Sequence, residues 1–352
     1  MFVLNGHTSQ VTSLACRERE ECTLLSGSDD GTARLWSVKN QSGRSIRSFF
    51  CGNKASISSV SFSKKHEHEV HLASSNNIYT FDLRRDEVIM LKSDHTLSLP
   101  THSENDEINA ISSNQKGELL SACDDSGYVY ILSNDDKLSI KTVLHPHQNV
   151  CMQSMFRQDA DVEIVSVGSD LDLQSSLVRS NWTTKASVTK FDFNSLFSNS
   201  TDAKQIFNPP IVQCLNINGN HASVGLGNGN CVLFDLTKKG PASILDVFKA
   251  HESSLTQTAF INNNSMLVTS GLDDKISIWD IRQALLPKKM VPKKKGVAKP
   301  KNSHIESKST KVWCHDHTLD DLRINCISVH EESKTIFVGH QSNRIFGIPY
   351  NL

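Results

Sequence analysis

His7, Ser26 and Asp30 are the side-chain types of a hydrolytic triad: an imidazole base, a nucleophilic hydroxyl and an orienting carboxylate. The set recurs as His147, Ser166 and Asp170, and again, with threonine as the hydroxyl, as His251, Thr269 and Asp273. A nucleophile needs an exposed pocket and an oxyanion site beside it. Repetition points to the other use of such a set. Once buried, hydroxyl, imidazole and carboxylate each need a partner, and a satisfied network fixes one packing. In two copies an indole follows, Trp36 and Trp279, whose N–H needs a partner too.

Other residues offer other chemistry. In Trp279-Asp280-Ile281-Arg282 the guanidinium can give planar, multi-donor recognition. Phe81-Asp82-Leu83-Arg84 keeps Asp82 and Arg84 and replaces the indole by phenylalanine. The plainer use of both pairs is to cap a turn or pair on the surface. Lys288, Lys289, Lys293, Lys294, Lys295, Lys299 and Lys301 crowd one segment, broken by Pro287, Pro292 and Pro300, with no acid until Glu306. That composition cannot bury a core and is expected to be disordered. It reads as a nuclear-import or nucleic-acid patch, or as a solvated loop. Cys314-His315-Asp316-His317 and the trio His66, His68 and His71 are rich in potential ligands. Neither has the paired spacing of a structural zinc site, so no metal and no cofactor is expected. Gly225-Leu226-Gly227-Asn228-Gly229 reads as a hairpin, with Asn228-Gly229 a type I′ signal.

The elements that must position these residues come from a repeat. Ser26 to Asp30 is four residues and Asp30 to Trp36 six; Thr269 to Asp273 and Asp273 to Trp279 repeat both intervals. His to Trp is 29 residues in one copy and 28 in the other. The same ruler places degraded copies ending at Phe81, Leu132, about Val178, Phe234 and Ile348. The fourth needs a turn two residues longer to reach Val178. In the third, Ser126 and Ala122 sit at the network spacings and Glu104 falls where the histidine belongs, so that blade is expected to have lost its network. Gaps between ends are 45, 51, about 46, about 56, 45 and 69 residues, and removing Pro287–Thr310 from the last leaves 45. Short strands at this spacing, with alternation as in Ile276-Ser277-Ile278, indicate an all-β chain.

Gly6-His7 and Ala250-His251 at the start of a repeat and Trp36 or Trp279-Asp280 at its end resemble the WD40 repeat. The resemblance implies one seven-bladed β-propeller over residues 1–352, with a lysine-rich insertion at 287–310 between blades six and seven. It also implies closure by an N-terminal strand at about 1–5, carrying Phe2-Val3-Leu4, in the last blade. It gives His7, Ser26, Asp30, Trp36, His251, Thr269, Asp273 and Trp279, with His147, Ser166 and Asp170, the role of a structural network within blades. Asp106–Gln115, Leu120-Ser121-Ala122, Asp124-Asp125-Ser126-Gly127, the basic insertion and the ending Ile348–Leu352 are similar to the WD repeat-containing protein 53 family. That pattern leads one to expect a tryptophan in the fourth blade, which the ruler does not find. Some WD-repeat proteins dock on the propeller adaptor of a cullin-RING ubiquitin ligase through Trp-Asp-x-Arg. The resemblance therefore implies a substrate-receptor role through Asp82, Arg84, Asp280 and Arg282.

Composition bounds the alternatives. The net charge is −1, so the whole-molecule field gives no pull toward nucleic acid or anionic membrane outside the lysine run. No apolar run approaches the ~20 residues of a membrane span, and the start lacks a secretory pattern. Nine dispersed cysteines, none in a Cys-x-x-Cys pair, read as reduced thiols. The expectation is a non-enzymatic, monomeric, intracellular protein, cytoplasmic or nuclear, that binds other proteins. A nuclear or chromatin-associated binder using the lysine run is the alternative. A propeller enzyme with acids or histidines converging on the axis is a further one.

Overall fold

The computed structural model describes residues 1–17, 22–38, 43–52, 54–103, 106–157, 162–178, 182, 184–193, 196, 210–237, 243–286, 307–316 and 323–352. They form seven sheets, antiparallel but for one added strand. The first strands of successive blades (Val11–Arg17, Ile57–Phe62, Ile108–Ser113, Cys151–Arg157, Val212–Asn218, Leu255–Ile261 and Ile324–His330) contact one another all the way round, so they line the centre of a closed ring. Phe2–Asn5 supplies the outer strand of the last blade, pairing antiparallel with Arg344–Pro349 from Phe2 opposite Gly347 to Asn5 opposite Arg344. Closure leaves no blade with an unpaired face.

Every first strand carries a bulge after its first residue, at Thr12, Ser58, Asn109, Met152, Gln213, Thr256 and Asn325. A bulge re-aims a side chain, and here it aims several across the seams. Thr12 donates to the Ile57 carbonyl and Ser58 to that of Ile108. Asn109 donates to the Cys151 carbonyl at 3.1 Å, and Asn325 to that of Val11 at 3.1 Å. In blade four the bulged residue is Met152, which has no such donor.

The apolar core lies between blades. Trp36 packs with Leu4, Val11, Leu24, Phe337 and Ile345 at the seam of blades seven and one. Trp279 packs with Leu233, Phe248 and Leu267 at the seam of five and six. Strand register fixes which residue takes this place elsewhere. Leu24 faces Trp36 and Leu267 faces Trp279; correspondingly Val70 faces Phe81, Leu120 faces Leu132, Ala222 faces Phe234 and Ile336 faces Ile348.

In blade four Ile164 faces Ser176, and Ser166 faces Gln174. The slot is therefore Ser176 and not Val178, because the turn after Asp170 is no longer than in blade one. The tryptophan comes from elsewhere. Trp182, just past the third strand, packs on Val129, Ile131, Leu144, Phe156 and Ile164 at the seam of blades three and four.

Two further expectations change, and one element is new. Lys275–Asp280 pairs with Thr310–Asp316, so the long insertion lies inside blade six, between its third and fourth strands, and Thr310 is already strand. The outer strand of a blade carries no motif residue, which is why the ruler misplaced it. Ser307–Ser309 is held down by the buried Asp246 carboxylate, which accepts from Ser309 N at 2.9 Å and Ser309 Oγ at 2.6 Å. All seven lysines of the run lie outside the described residues. At Asn228-Gly229, Gly229 alone has positive φ, +83°, and Gly229 N–H reaches the Leu226 carbonyl at 3.0 Å. That is one positive-φ position closing the turn, as at Gly31, rather than the two of a type I′ pair. Finally, Ile89–Met90, from the link between the third and fourth strands of blade two, adds a parallel fifth strand beside Ser45–Phe50 of blade one.

Candidate interaction edges and the networks beneath them

In blade one His7 Nε2 lies 2.7 Å from Ser26 Oγ and Nδ1 lies 2.9 Å from Asp30; Trp36 Nε1 donates to Ser26 Oγ at 2.9 Å. Blade six repeats it: His251 to Thr269 Oγ1 2.9 Å, His251 to Asp273 2.8 Å, and Trp279 Nε1 to Thr269 Oγ1 3.0 Å. In blade four His147 keeps Ser166 at 2.9 Å and Asp170 at 2.9 Å. Each aspartate also accepts the backbone N–H after the histidine, from Thr8, Gln148 and Glu252. Burial pushes the Asp30 carboxyl up, but bonds from His7 and Thr32 outweigh it and hold the carboxyl below the usual range. The same balance, with histidine as the main donor, lowers Asp170 and Asp273. The three hydroxyls and histidines are buried, so this geometry is cohesive: they bond to one another and to the aspartates within each blade.

Blade three carries a network that the spacing did not reveal. Glu104 lies outside the described residues. Buried Asp106 accepts from Ser126 Oγ at 2.6 Å, Ser103 Oγ at 2.6 Å, and the N–H groups of His102 and Ser103. Burial alone would raise its carboxyl, and these four donors bring it to about 2. Tyr130 Oη donates to buried Asp124 at 2.9 Å. The network of this blade is thus replaced rather than lost, with carboxylates on both sides and tyrosine as the aromatic donor. Outside it, Tyr128 is stacked between His102 and His145, at centroid distances of 3.6 and 4.1 Å.

The two Asp-x-Arg copies are geometric twins. Arg84 Nε and Nη2 fork onto Asp82, Nη2 at 2.6 Å, and Arg84 N–H caps the same carboxylate at 2.8 Å. Arg282 does the same to Asp280, with Nη2 at 2.5 Å and N–H at 3.0 Å. Both arginine side chains are 68% exposed. The arginine fork lowers each aspartate. Among the described residues neither Nη1 has a partner. The aromatic residues beneath are both buried, Phe81 at 0% and Trp279 at 6% exposure. A partner therefore meets the same Asp-Arg surface at either copy.

The copies are not brought together. Blades two and six stand three steps apart, about 150° around a seven-bladed ring. Their neighbours also differ. The link that follows Arg84 exposes Val88, Ile89 and Leu91; beyond Arg282 a short helix, Arg282–Leu285, leads to exposed Leu286.

The other ligand-rich segments do not converge. His71 is fully buried, with Nδ1 3.0 Å from Thr80 Oγ1, and burial lowers it to about 4; His66 and His68 lie in the turn before its strand. Cys314, His315 and Asp316 are consecutive on an outer strand, so His315 points away from the other two; His317 lies outside the described residues. Among the described residues, no helix is long and apolar enough to cross a membrane.

Comparison with known proteins agrees with this architecture. The family model described as WD domain, G-beta repeat matches residues 1–37 and 242–280, which carry the networks of blades one and six. Along 97% of its length the chain is 25% identical to a protein of Dictyostelium discoideum, WD repeat-containing protein 53 homolog, covering 91% of that protein. With two matched repeats and seven blades, the chain is a seven-bladed β-propeller that carries WD40 repeats at residues 1–37 and 242–280.

Proposed function

We propose that this propeller is a non-catalytic scaffold for protein partners, and that it acts as a substrate receptor docking on a cullin-RING ligase propeller adaptor through an Asp-x-Arg edge. One observation carries the reading: two exposed arginines, each locked by its own aspartate into one orientation, project from a rigid frame. A side chain already held in place loses little freedom on binding. The fork uses Nε and Nη2 and leaves the outer donors of the guanidinium for a partner.

Of the two edges, blade two is the better built. Interfaces take their energy from apolar anchors beside arginine or aromatic residues, and Val88, Ile89 and Leu91 are exposed in the link that starts at Arg84. The identity of the aromatic residue, Trp279 or Phe81, is hidden from any partner and does not rank the edges.

The test is binding of purified chain to purified adaptor, wild type beside the single variants Arg84→Ala and Arg282→Ala. Loss of at least about tenfold in affinity with Arg84→Ala alone is expected. Loss with Arg282→Ala alone moves the docking edge to blade six and keeps the receptor reading. Wild-type affinity in both variants, or no binding by the wild type, ends it.

A further inference from the structure

We propose that Cys16, Cys22 and His330 form a zinc(II) site that staples blade seven to blade one where the ring closes. Cys16 lies on the first strand of blade one, Cys22 directly before its second strand, and His330 ends the first strand of blade seven. One ligand atom of each lies within 4.8 Å of the other two, and the two sulfurs are 3.5 Å apart. Thiolates sharing a tetrahedral zinc at about 2.3 Å sit about 3.8 Å from each other. A disulfide would hold them at about 2.05 Å. At 3.5 Å the sulfurs are in contact without a bond between them, and a shift of a few tenths of an ångström gives the spacing of two ligands on one ion.

Burial and an orphan atom support the assignment. Cys22 is 7% and His330 3% exposed, so this corner faces protein. Among the described residues, His330 Nε2 is buried without a hydrogen-bond partner. Such an atom is costly unless something occupies it, and a metal ion uses its lone pair. The other ring nitrogen is already oriented. Nδ1 lies 2.7 Å from Ser333 Oγ, and that hydroxyl donates to Thr335 Oγ1 at 3.1 Å. With zinc on Nε2 the ring proton sits on Nδ1 and goes to Ser333 Oγ, as the second ligand shell of a metal histidine requires. The Ser333 N–H, 3.2 Å from Nδ1, then gives up that contact. The fourth position of a tetrahedral ion falls to water. Two thiolates and an imidazole favour zinc over a hard cation, and loading at neutral pH releases the two thiol protons.

Cobalt(II) titration of the reduced, chelator-treated full-length chain tests the site, with mass spectrometry under native conditions for stoichiometry. The expected result is one ion per chain and a thiolate-to-cobalt charge-transfer band that zinc abolishes. Cys22→Ser and His330→Ala should each weaken binding by at least about 100-fold, while Cys314→Ser, at the exposed thiol, leaves it unchanged. One equivalent of zinc should raise the melting temperature of the wild type and not that of His330→Ala. A wild type without the band, or a Cys22→Ser protein that retains it, overturns the proposal. So does a chain that loses two hydrogen atoms, two protons with two electrons, to oxygen in air and takes up no ion, since the pair is then a thiol–disulfide couple.

Discussion

Blades six and four stand on the same His–hydroxyl–Asp frame and obtain their tryptophan in different ways. In blade six the indole belongs to the third strand and shares the hydroxyl of Thr269 with His251, so packing and network are one unit. In blade four the third strand offers Ser176, and Trp182 reaches the seam from beyond the strand, on a left-handed backbone at φ +63°. A bulky residue takes that conformation where packing holds it. The difference separates two jobs. The histidine and aspartate fasten the turns at one end of the blade; the indole seals the seam to the blade before. The second job can be moved.

The comparison breaks if the seam does not depend on Trp182. Trp279→Ala should cost about 3–5 kcal/mol in chemical denaturation. Trp182→Ala should cost about 2 kcal/mol, as a half-buried ring, and Ser176→Ala should stay within about 0.5 kcal/mol. A neutral Trp182→Ala would mean that blade four seals without an indole. Double-mutant cycles sharpen the point. His251→Ala and Trp279→Phe, which meet on Thr269, should couple by about 1 kcal/mol, whereas His147→Ala and Trp182→Ala should add within about 0.5 kcal/mol. Equal coupling in both blades would contradict the separation of jobs. In blade three Tyr130→Phe removes the donor to buried Asp124 and should cost about 1–2 kcal/mol with little change in volume. The smallest effect is a change in the slope of stability against pH in acid. The folded-state values of Asp30, Asp170 and Asp273 are depressed, so what they contribute is complete above the ordinary carboxylate value of about 3.9 and is lost as pH falls through the lowered values. Asp273→Asn should make the fall in melting temperature below about pH 4 shallower; an unchanged slope would place the acid sensitivity elsewhere.

The fold was readable because hydroxyl, aspartate and indole sit at fixed intervals on one hairpin, so two intact copies calibrated five degraded ones. Its failures have the same root. Ser176 gives no hydrophobic signal, so the ruler stretched to Val178. The outer strand Thr310–Asp316 holds no motif residue, so the insertion was assigned to the gap between blades. Asp106 and Tyr130 rebuild a network at positions where neither histidine nor tryptophan is expected. The Asp-x-Arg edges were visible as residues, but their separation around the ring and the exposed Val88, Ile89 and Leu91 depend on tertiary placement. Cys16 and Cys22 share one hairpin, but His330 could not be grouped with them, because ring closure alone makes it their neighbour.

Closure has a price in time. Phe2–Asn5 is the first strand of the ring to leave the ribosome, and its partner Arg344–Pro349 the last. At about 5–20 residues per second the gap between them is roughly 20–70 s. Throughout that interval Leu4 and Trp36, which the finished seam covers, have no blade seven to pack against. The apolar surface at that end stays uncovered until the last strands arrive.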